Sequence, residues 1–352
     1  MADSLGRGPA GGGHVRSSGT PKRILVAGAA GFGGAITCAL VHRHPGLELA
    51  AATARSDAGA RLDEVYPHHR VPVVLEELDL DRHADGIDAA VVAYPHGASA
   101  PVVAGLRERG VPVVDFSADF RLRDLQTYER WYVPHVAPQL LEEAVYGLPE
   151  LYRDELRGAG LIANPGCFPT AALLALAPVA RAGLVADVVI DAKTGVSGAG
   201  RGASWRTHFS RVDENVDAYG IDGHRHLPEI QQELGVLGAT APVTFIPHLL
   251  PLDQGELVSC YVTTSRPVTQ ADVDELFATA YDAEPFVEVV ATSPGVRDVR
   301  DTNYARLTAR ADERTGKVLV FCAIDNVYKG AASQAVQNLN LALGLPETAG
   351  LR

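Results

Sequence analysis

A short run near the N-terminus limits the fold more than any other feature. Lys22-Arg23-Ile24-Leu25-Val26-Ala27 has the composition of a buried strand. Gly28-Ala29-Ala30-Gly31-Phe32-Gly33-Gly34 follows without a break, and Ala35 to His42 then reads as a helix. An apolar strand that turns through glycines straight into a helix predicts a βαβ unit and a parallel sheet with covered faces. Gly28, Gly31 and Gly34 make a GxxGxxG loop. Such a loop turns tightly and points backbone N–H groups at a pyrophosphate on the helix N-terminus. Gly28, Gly31, Phe32, Gly33 and Gly34 are therefore the predicted cofactor cradle.

The next strands extend this unit. Leu47 to Ala52 reads as a second strand ending in Thr53-Ala54-Arg55-Ser56. An NAD-preferring site usually has an acid here for the ribose hydroxyls. A guanidinium between two hydroxyls suits a 2′-phosphate instead, so Thr53, Arg55 and Ser56 predict NADP; the alternative is a solvated surface arginine. Ile87 to Ala93 is a third strand, followed by Tyr94-Pro95-His96-Gly97. A doubly wound sheet presents ligand contacts at such strand ends, which places Pro95 and His96 beside the cofactor. A helix over 98–109 stops at Gly110, and a strand over 111–116 runs into Ser117-Ala118-Asp119-Phe120-Arg121.

Beyond residue 165 the pattern changes. The chain has 352 residues, more than one ordinary core holds and suited to two domains. Residues 21–165 read as a Rossmann-type domain with a doubly wound parallel sheet, completed by a C-terminal helix within 330–352. Residues 166–329 read as an α+β domain with a mixed, largely antiparallel sheet. Residues 1–20, rich in Gly, Ser and Arg, read as a flexible extension. A net charge of −12 argues against a nucleic-acid surface, while leaving room for an anionic substrate in a local basic pocket. Four cysteines without pairing or metal spacing suit a reducing cytoplasm, and no stretch is long and apolar enough for a membrane span.

One cysteine stands apart. Asn164-Pro165-Gly166-Cys167-Phe168-Pro169-Thr170 puts Cys167 at the mouth of the apolar run 171–177. Free backbone N–H groups at a helix start favour the thiolate, so a lowered pKa and a nucleophile are expected. Cys38, Cys260 and Cys322 lie in apolar helix or strand and read as core. A thiolate beside a nicotinamide suggests oxidoreduction at the acyl level: a thioester forms, NADPH reduces it to a thiohemiacetal, and an aldehyde leaves. Such a site needs a proton carrier and cations. His226 is the candidate carrier and His224 a substrate contact, with one of the pair packing or capping as the alternative. Arg121 and Arg201 are the anion candidates. Arg201 follows Ser197-Gly198-Ala199-Gly200, whose glycines allow close backbone approach to a ligand. His248, at a strand end, is a weaker candidate for the proton.

Taken together, the glycine loop, Ser117–Arg121, Asn164–Thr170, Ser197–Arg201, His224-Arg225-His226-Leu227-Pro228-Glu229-Ile230 and Asp325-Asn326-Val327-Tyr328-Lys329-Gly330 resemble the N-acetyl-gamma-glutamyl-phosphate reductases, of the aspartate-semialdehyde dehydrogenase superfamily. The likeness covers roughly residues 21–345. It implies a cytoplasmic, NADP-dependent enzyme of arginine biosynthesis that acts on an acyl phosphate and assembles as a homodimer or homotetramer through its second domain. It also implies Cys167 as nucleophile, Arg121, His224, Arg201 and Glu229 on the substrate side, and Ser197, Gly198 and Asn326 on the cofactor side. One departure is Gln254, where the family commonly has arginine; another is Phe168, where tyrosine is usual. The loss of a cation at 254 leaves open a related acyl phosphate, such as an aminoadipyl phosphate that is free or carried on a protein. A non-catalytic NADP-binding redox sensor is the reading from another class; Arg121, His224 and His226 count against it.

Overall fold

The structure, a computed structural model, describes residues 19–352. The extension read over 1–20 lies, except for its last two residues, outside the described residues.

Six strands form the first sheet: β1 (Lys22–Ala27), β2 (Leu47–Thr53), β3 (Ala89–Val92), β4 (Val113–Asp115), β5 (Ala144–Tyr146) and β6 (Leu161–Ala163). All pairings are parallel, in the order β2-β1-β3-β4-β6-β5. Every residue of β3 and β4 is buried, as expected of parallel strands covered on both faces. One face packs on the helices Phe32–Arg43 and Ser333–Ala342, through Ala35, Cys38, Val336 and Leu339 against Ile24 and Val26. The opposite face packs on the helix Ala100–Glu108, through Val103 and Leu106 against Leu25 and Ala27. The strand order reverses between β1 and β3. That reversal opens a crevice at the carboxyl ends of the strands, flanked by the glycine loop after β1 and by Tyr94–His96 after β3.

Two glycines of the loop are sterically required. Gly28 has φ +95°, and a Cβ there would lie 2.6 Å from the Ala93 carbonyl oxygen. A Cβ on Gly34 would overlap the Gly28 carbonyl and come within 2.9 Å of Ala29 Cα.

The second sheet has seven strands: β7 (Val185–Thr194), β8 (Asp217–Ala218), β9 (Val243–Leu249), β10 (Glu256–Thr264), β11 (Val287–Val289), β12 (Ala305–Asp312) and β13 (Lys317–Ile324). Their order is β11-β12-β13-β10-β7-β9-β8, with parallel pairing only at β11/β12 and β7/β9. The sheet is mixed and mainly antiparallel, as expected. Its inner face carries Val188, Ile190, Val258, Cys260, Val318 and Val320, all buried against the helix Cys167–Arg181. Leu173, Leu174 and Leu176 of that helix are fully buried. Each such leucine contributes roughly 1.5–3 kcal/mol of burial, so the helix that begins at Cys167 is a spoke of the core and cannot shift without cost. The outer face is half-buried at Tyr261, Leu319 and Phe321 and exposed at Val189.

Three strands escape sequence reading, the shortest being β8 with two residues. β12, Ala305-Arg306-Leu307-Thr308-Ala309-Arg310-Ala311-Asp312, alternates correctly but is rich in alanine and arginine, which signal strand weakly. β5 has three residues. The C-terminal helix is also delayed: residues Tyr328–Ala332 form one π-helical turn before the α-helix Ser333–Ala342. π-turns of this kind are uncommon and cluster at functional sites.

Gly34→Ala is expected to destabilise the fold by about 2 kcal/mol or more, because backbone must move to admit the methyl group. Urea unfolding measures this, and a loss below about 0.5 kcal/mol would contradict the geometry.

Candidate active site

The turn that presents Cys167 is tied down atom by atom. Asn164 leaves β6 with its N–H on the Asp115 carbonyl at 2.8 Å, and its side-chain amide donates to the Ala331 carbonyl at 3.0 Å. Gly166 donates its N–H to Glu229 Oε1 at 2.9 Å. The same oxygen accepts from the Tyr146 hydroxyl at 2.8 Å, and Oε2 accepts from Arg121 Nη1 at 3.2 Å. Arg121 also donates to the Asn164 carbonyl at 2.8 Å and the Phe116 carbonyl at 2.7 Å. Space is equally exact. A Cβ on Gly166 would lie 2.6 Å from His226 Nε2 and 3.0 Å from Arg121 Nη1. A Cβ on Gly330, in the π-turn, would lie 2.7 Å from Cys167 Cβ. Neither position has room for a side chain beside His226, Arg121 and Cys167.

This geometry revises two assignments. Glu229 was expected on the substrate side; it is 1% exposed and engaged with Gly166, Tyr146 and Arg121. Arg121 is itself 5% exposed and is held by three protein acceptors, so it lends its charge to the site from within the wall. His226 and His224 come together beside Gly166 and Phe168, the residues that flank Cys167. Their rings meet edge to face at 4.9 Å. His224 Nδ1 accepts the His226 backbone N–H at 3.1 Å, while His226 Nδ1 is buried without a partner. His248 lies elsewhere, in register with Lys193 of β7 and 3.2 Å from Asp191.

The electrostatics depart from expectation at the thiol. Burial pushes the Cys167 thiol well above its ordinary value, and Glu256 pushes it further; the Phe168 N–H and Arg121 pull it down, as a helix start should, but less. Desolvation outweighs the helix end here. Burial also holds the imidazoles neutral. His224 and His96 are each lowered to about 4 and His226 lies well below the usual range, with neighbouring histidines and arginines adding to the effect. A neutral His226 keeps a ring lone pair, while the same burial makes it a weak base.

On the nucleotide side the residues surround the crevice. Phe32, Gly33 and Gly34 head a helix, so their N–H groups have no intrahelical acceptor and stand ready for an anion. Thr53 is buried with its hydroxyl unpaired, and Arg55 is exposed beside Tyr94 and Ala98 along a cavity of about 420 Å³. Pro95 and His96 follow β3, and His96 Nδ1 accepts the Ala118 N–H at 2.9 Å. Ser56 donates to Asp57 at 2.7 Å. Three placements differ from expectation. Arg201 pairs with Asp57 at 2.8 Å and reaches the Ala30 carbonyl of the glycine loop, because the turn at Gly200 (φ +79°) carries it over the nucleotide side. Asn326, expected at the nicotinamide, accepts the Gly255 N–H at 2.7 Å and donates to Ser197 Oγ at 3.1 Å, which occupies both ends of its amide. Gly198 lies against that amide and Thr194. Gln254 donates to Asp301 at 2.7 Å and Asp325 at 3.0 Å and lines a cavity with Phe32, Tyr66 and Ser197, on the nucleotide side.

Family models for the semialdehyde dehydrogenase NAD binding domain and dimerisation domain match residues 23–159 and 167–326. Curated N-acetyl-gamma-glutamyl-phosphate reductases of Desulforudis audaxviator and Pelotomaculum thermopropionicum are 48% and 45% identical to the chain; in each case the match spans 94% of it and 97% of the relative. The chain belongs to the N-acetyl-gamma-glutamyl-phosphate reductase family. Solved structures share the fold at low identity. The aspartate semialdehyde dehydrogenase II of Vibrio cholerae, complexed with ASA, matches with a TM-score of 0.71 at 20% identity, over 93% of this chain and 99% of that one. The aspartate semialdehyde dehydrogenase of Candida albicans, solved with NADP, matches at 0.66 and 16%, over 92% and 99%. This family member is an oxidoreductase with a nucleotide-binding first sheet.

Three neighbours of the site went unread in the sequence. Tyr219 is raised by burial and then by Cys167 and Glu256, which places it beside both. Arg206 sits 4.9 Å over the Tyr219 ring. Glu256 was read only as a strand start. Its signal was available: it occupies the inward parity of β10, otherwise Val258, Cys260 and Val262.

Glu229→Ala should cost about 3–5 kcal/mol in urea unfolding, since it strands a buried guanidinium; a loss under 1 kcal/mol would show that the carboxylate does not hold the turn. The neutral histidines set a pH trend. Below about pH 6.5 the unfolded chain takes up protons that the folded chain refuses, so stability falls as pH drops from about 6.5 towards 4. His96→Gln should flatten that slope by one proton, about 1.4 kcal/mol per pH unit; an unchanged slope would mean that His96 protonates in place.

Proposed function

We propose that this chain reduces N-acetyl-L-glutamyl 5-phosphate to N-acetyl-L-glutamate 5-semialdehyde and phosphate with NADPH, through a thioester on Cys167. The observation that carries the reading is the thiol at a helix start with neutral His226 across Gly166, beside a glycine cradle, in a chain whose relatives bear that reductase name. The nucleotide residues fit the cofactor. Gly28 and Gly34 leave a cradle that a Cβ would fill, and Arg55 with the Thr53 hydroxyl suits a 2′-phosphate. NADPH, when bound, supplies the hydride that brings the acyl group to the aldehyde level.

The rest is the chain's own chemistry. Cys167 takes up the acyl carbon. The Cys167 and Phe168 N–H groups are the donors left for the developing oxyanion, since Pro169 has none and Gly166 and Thr170 donate elsewhere. Nε2 of His226 takes or gives the proton on that oxygen. Arg121, inside the wall, and Arg206 and Arg225, exposed at the rim, supply the positive field that an acyl phosphate needs. Gln254 faces the nucleotide cavity and two aspartates, so the missing arginine leaves these cations in place. The name its relatives bear supports the acetylglutamyl substrate over an aminoadipyl one. The same reading places the enzyme in arginine biosynthesis in the cytoplasm, with residues 21–165 and 166–329 as its two domains. Among the described residues no helix is long and apolar enough to cross a membrane. A homodimer, or a tetramer built from it, is supported by the half-exposed apolar face of the second sheet and by the match to a dimerisation domain.

Phosphate-dependent, NADP-dependent oxidation of N-acetylglutamate semialdehyde is the deciding assay, with the aminoadipate analogue run alongside. Preference for the analogue would overturn the substrate, and no turnover of either would overturn the reaction. Cys167→Ser should abolish turnover and spare NADPH binding. Arg55→Ala should weaken NADPH binding about tenfold or more and NADH binding little; equal effects on both would place the 2′-phosphate elsewhere.

A further inference from the structure

The inner face of the second sheet is apolar along its length and turns polar at one end. In the ladder, Glu256 of β10 lies opposite Thr194 of β7 on one side and Ile324 of β13 on the other. Residues directly opposite in adjacent strands share a face. These three therefore form one row on the face that packs against the helix Cys167–Arg181. The row lies at the helix's N-terminal end: a Cβ on Gly330 would touch both Cys167 Cβ, at 2.7 Å, and Ile324 Cδ1, at 3.4 Å. Glu256 thus points from the sheet towards the nucleophile. Its residue is 0% exposed, and neither carboxyl oxygen has a formed hydrogen bond. Among the described residues, the Cys167 thiol acts on it electrostatically, with no formed hydrogen bond between the two. The Thr194 hydroxyl in the same row is buried and unpaired as well.

A buried carboxyl with no salt bridge and no backbone donor is costly. The inward positions Val258, Cys260 and Val262 of the same strand show what the core itself requires there. We propose that Glu256 is a catalytic residue: it takes the Cys167 thiol proton when the acyl group is attacked and returns it when the product leaves. The inference deepens the function proposed above and rests on it for the acyl substrate and the reductant.

The step balances. The S–H proton passes to the Glu256 carboxylate, the sulfur electron pair forms the S–C bond, and the C–O bond to phosphate breaks with its pair on phosphate, whose oxygen takes one proton from water; that proton is the one the overall reduction consumes. Once the acyl group has been reduced by the nicotinamide cofactor, the C–S bond breaks with its pair on sulfur, and Glu256 gives the same proton back. His226, across Gly166, serves the oxygen, so the two proton transfers have separate groups. The electrostatics set when Glu256 can act, since it accepts a proton only as the carboxylate, the form that grows in as pH rises through about 8. Burial raises Glu256 to about 8, the thiol pulls it down, and Asp325 raises it; burial and Glu256 both raise the thiol. Other charged or titratable groups reach this pair from each packed element: Asp325 after β13, Tyr219 from the rim, Cys322 within β13 and Arg121 from the turn. A pair so coupled titrates as a unit.

The test uses alkylation of Cys167 in the full chain by iodoacetamide, followed by mass spectrometry from pH 6 to 10. Wild type should show a rate limb near pH 8. Glu256→Gln should lower the rate at pH 7.5 tenfold or more and move the limb upward, and Glu256→Asp, which keeps the acid, should retain part of both. A Gln variant with the wild-type profile would overturn the proposal. So would one that reacts faster, since Glu256 would then only suppress the thiolate. Should the Gln variant fail to fold, wild type still decides: alkylating Cys167 should alter the infrared carboxyl band of one buried acid, identified by isotope-labelled glutamate, and an unaltered band overturns the proposal. Neither readout uses the acyl phosphate, so failure here and failure of the substrate assay are separate results.

Discussion

One buried carboxylate fixes the geometry on which the site depends. Glu229 receives the Gly166 N–H, the Tyr146 hydroxyl and the Arg121 guanidinium, from three separate parts of the chain. Arg121 in turn holds the carbonyls of Asn164 and Phe116. The turn before Cys167 is thereby fastened to the parallel sheet behind it and to the helix Leu227–Val236 in front. An ion pair this deep is weak evidence of stability, because both charges lose their water. What it does supply is position: each donor has one acceptor, so Cys167 and His226 have one arrangement.

The hydrophobic core carries the other half of that constraint. The helix that starts at Cys167 is buried on all sides, with residues 168–180 inaccessible. Such a helix cannot adjust to a substrate, and the adjustable parts are at the rim, where Arg206 and Arg225 are exposed. Burial also sets the chemistry. It outweighs the helix end at the thiol and keeps the histidines neutral.

Much of the molecule was legible in the residues. The glycine loop, the strand–helix alternation and the cysteine turn are local patterns, and local sterics dictate them. Gly28 must take a positive φ and Gly34 must admit a carbonyl, whatever lies further away. β12, β5 and β8 escape the sequence because alanine, arginine and a length of two or three residues carry little strand signal, and neighbouring strands decided them. Arg201, Glu229 and Asn326 stand out in the sequence as chemical residues, but their protein partners do not. Each is a long or forked polar side chain, whose partner depends on which elements meet.

That division has a physical cause. Periodicity, turn sterics and the helix-start position of Cys167 act over a few residues, so the chain alone settled the two-sheet plan, the glycine turn after β1 and the place of Cys167 at the head of its helix. Charges act through space and through burial. Only the folded structure could bring Glu256 in β10 up behind Cys167, 89 positions away in the chain, send Arg201 to Asp57, and raise a thiol that its helix alone would have lowered. Desolvation is a property of what surrounds a group, and the surroundings of Cys167 come from both sheets.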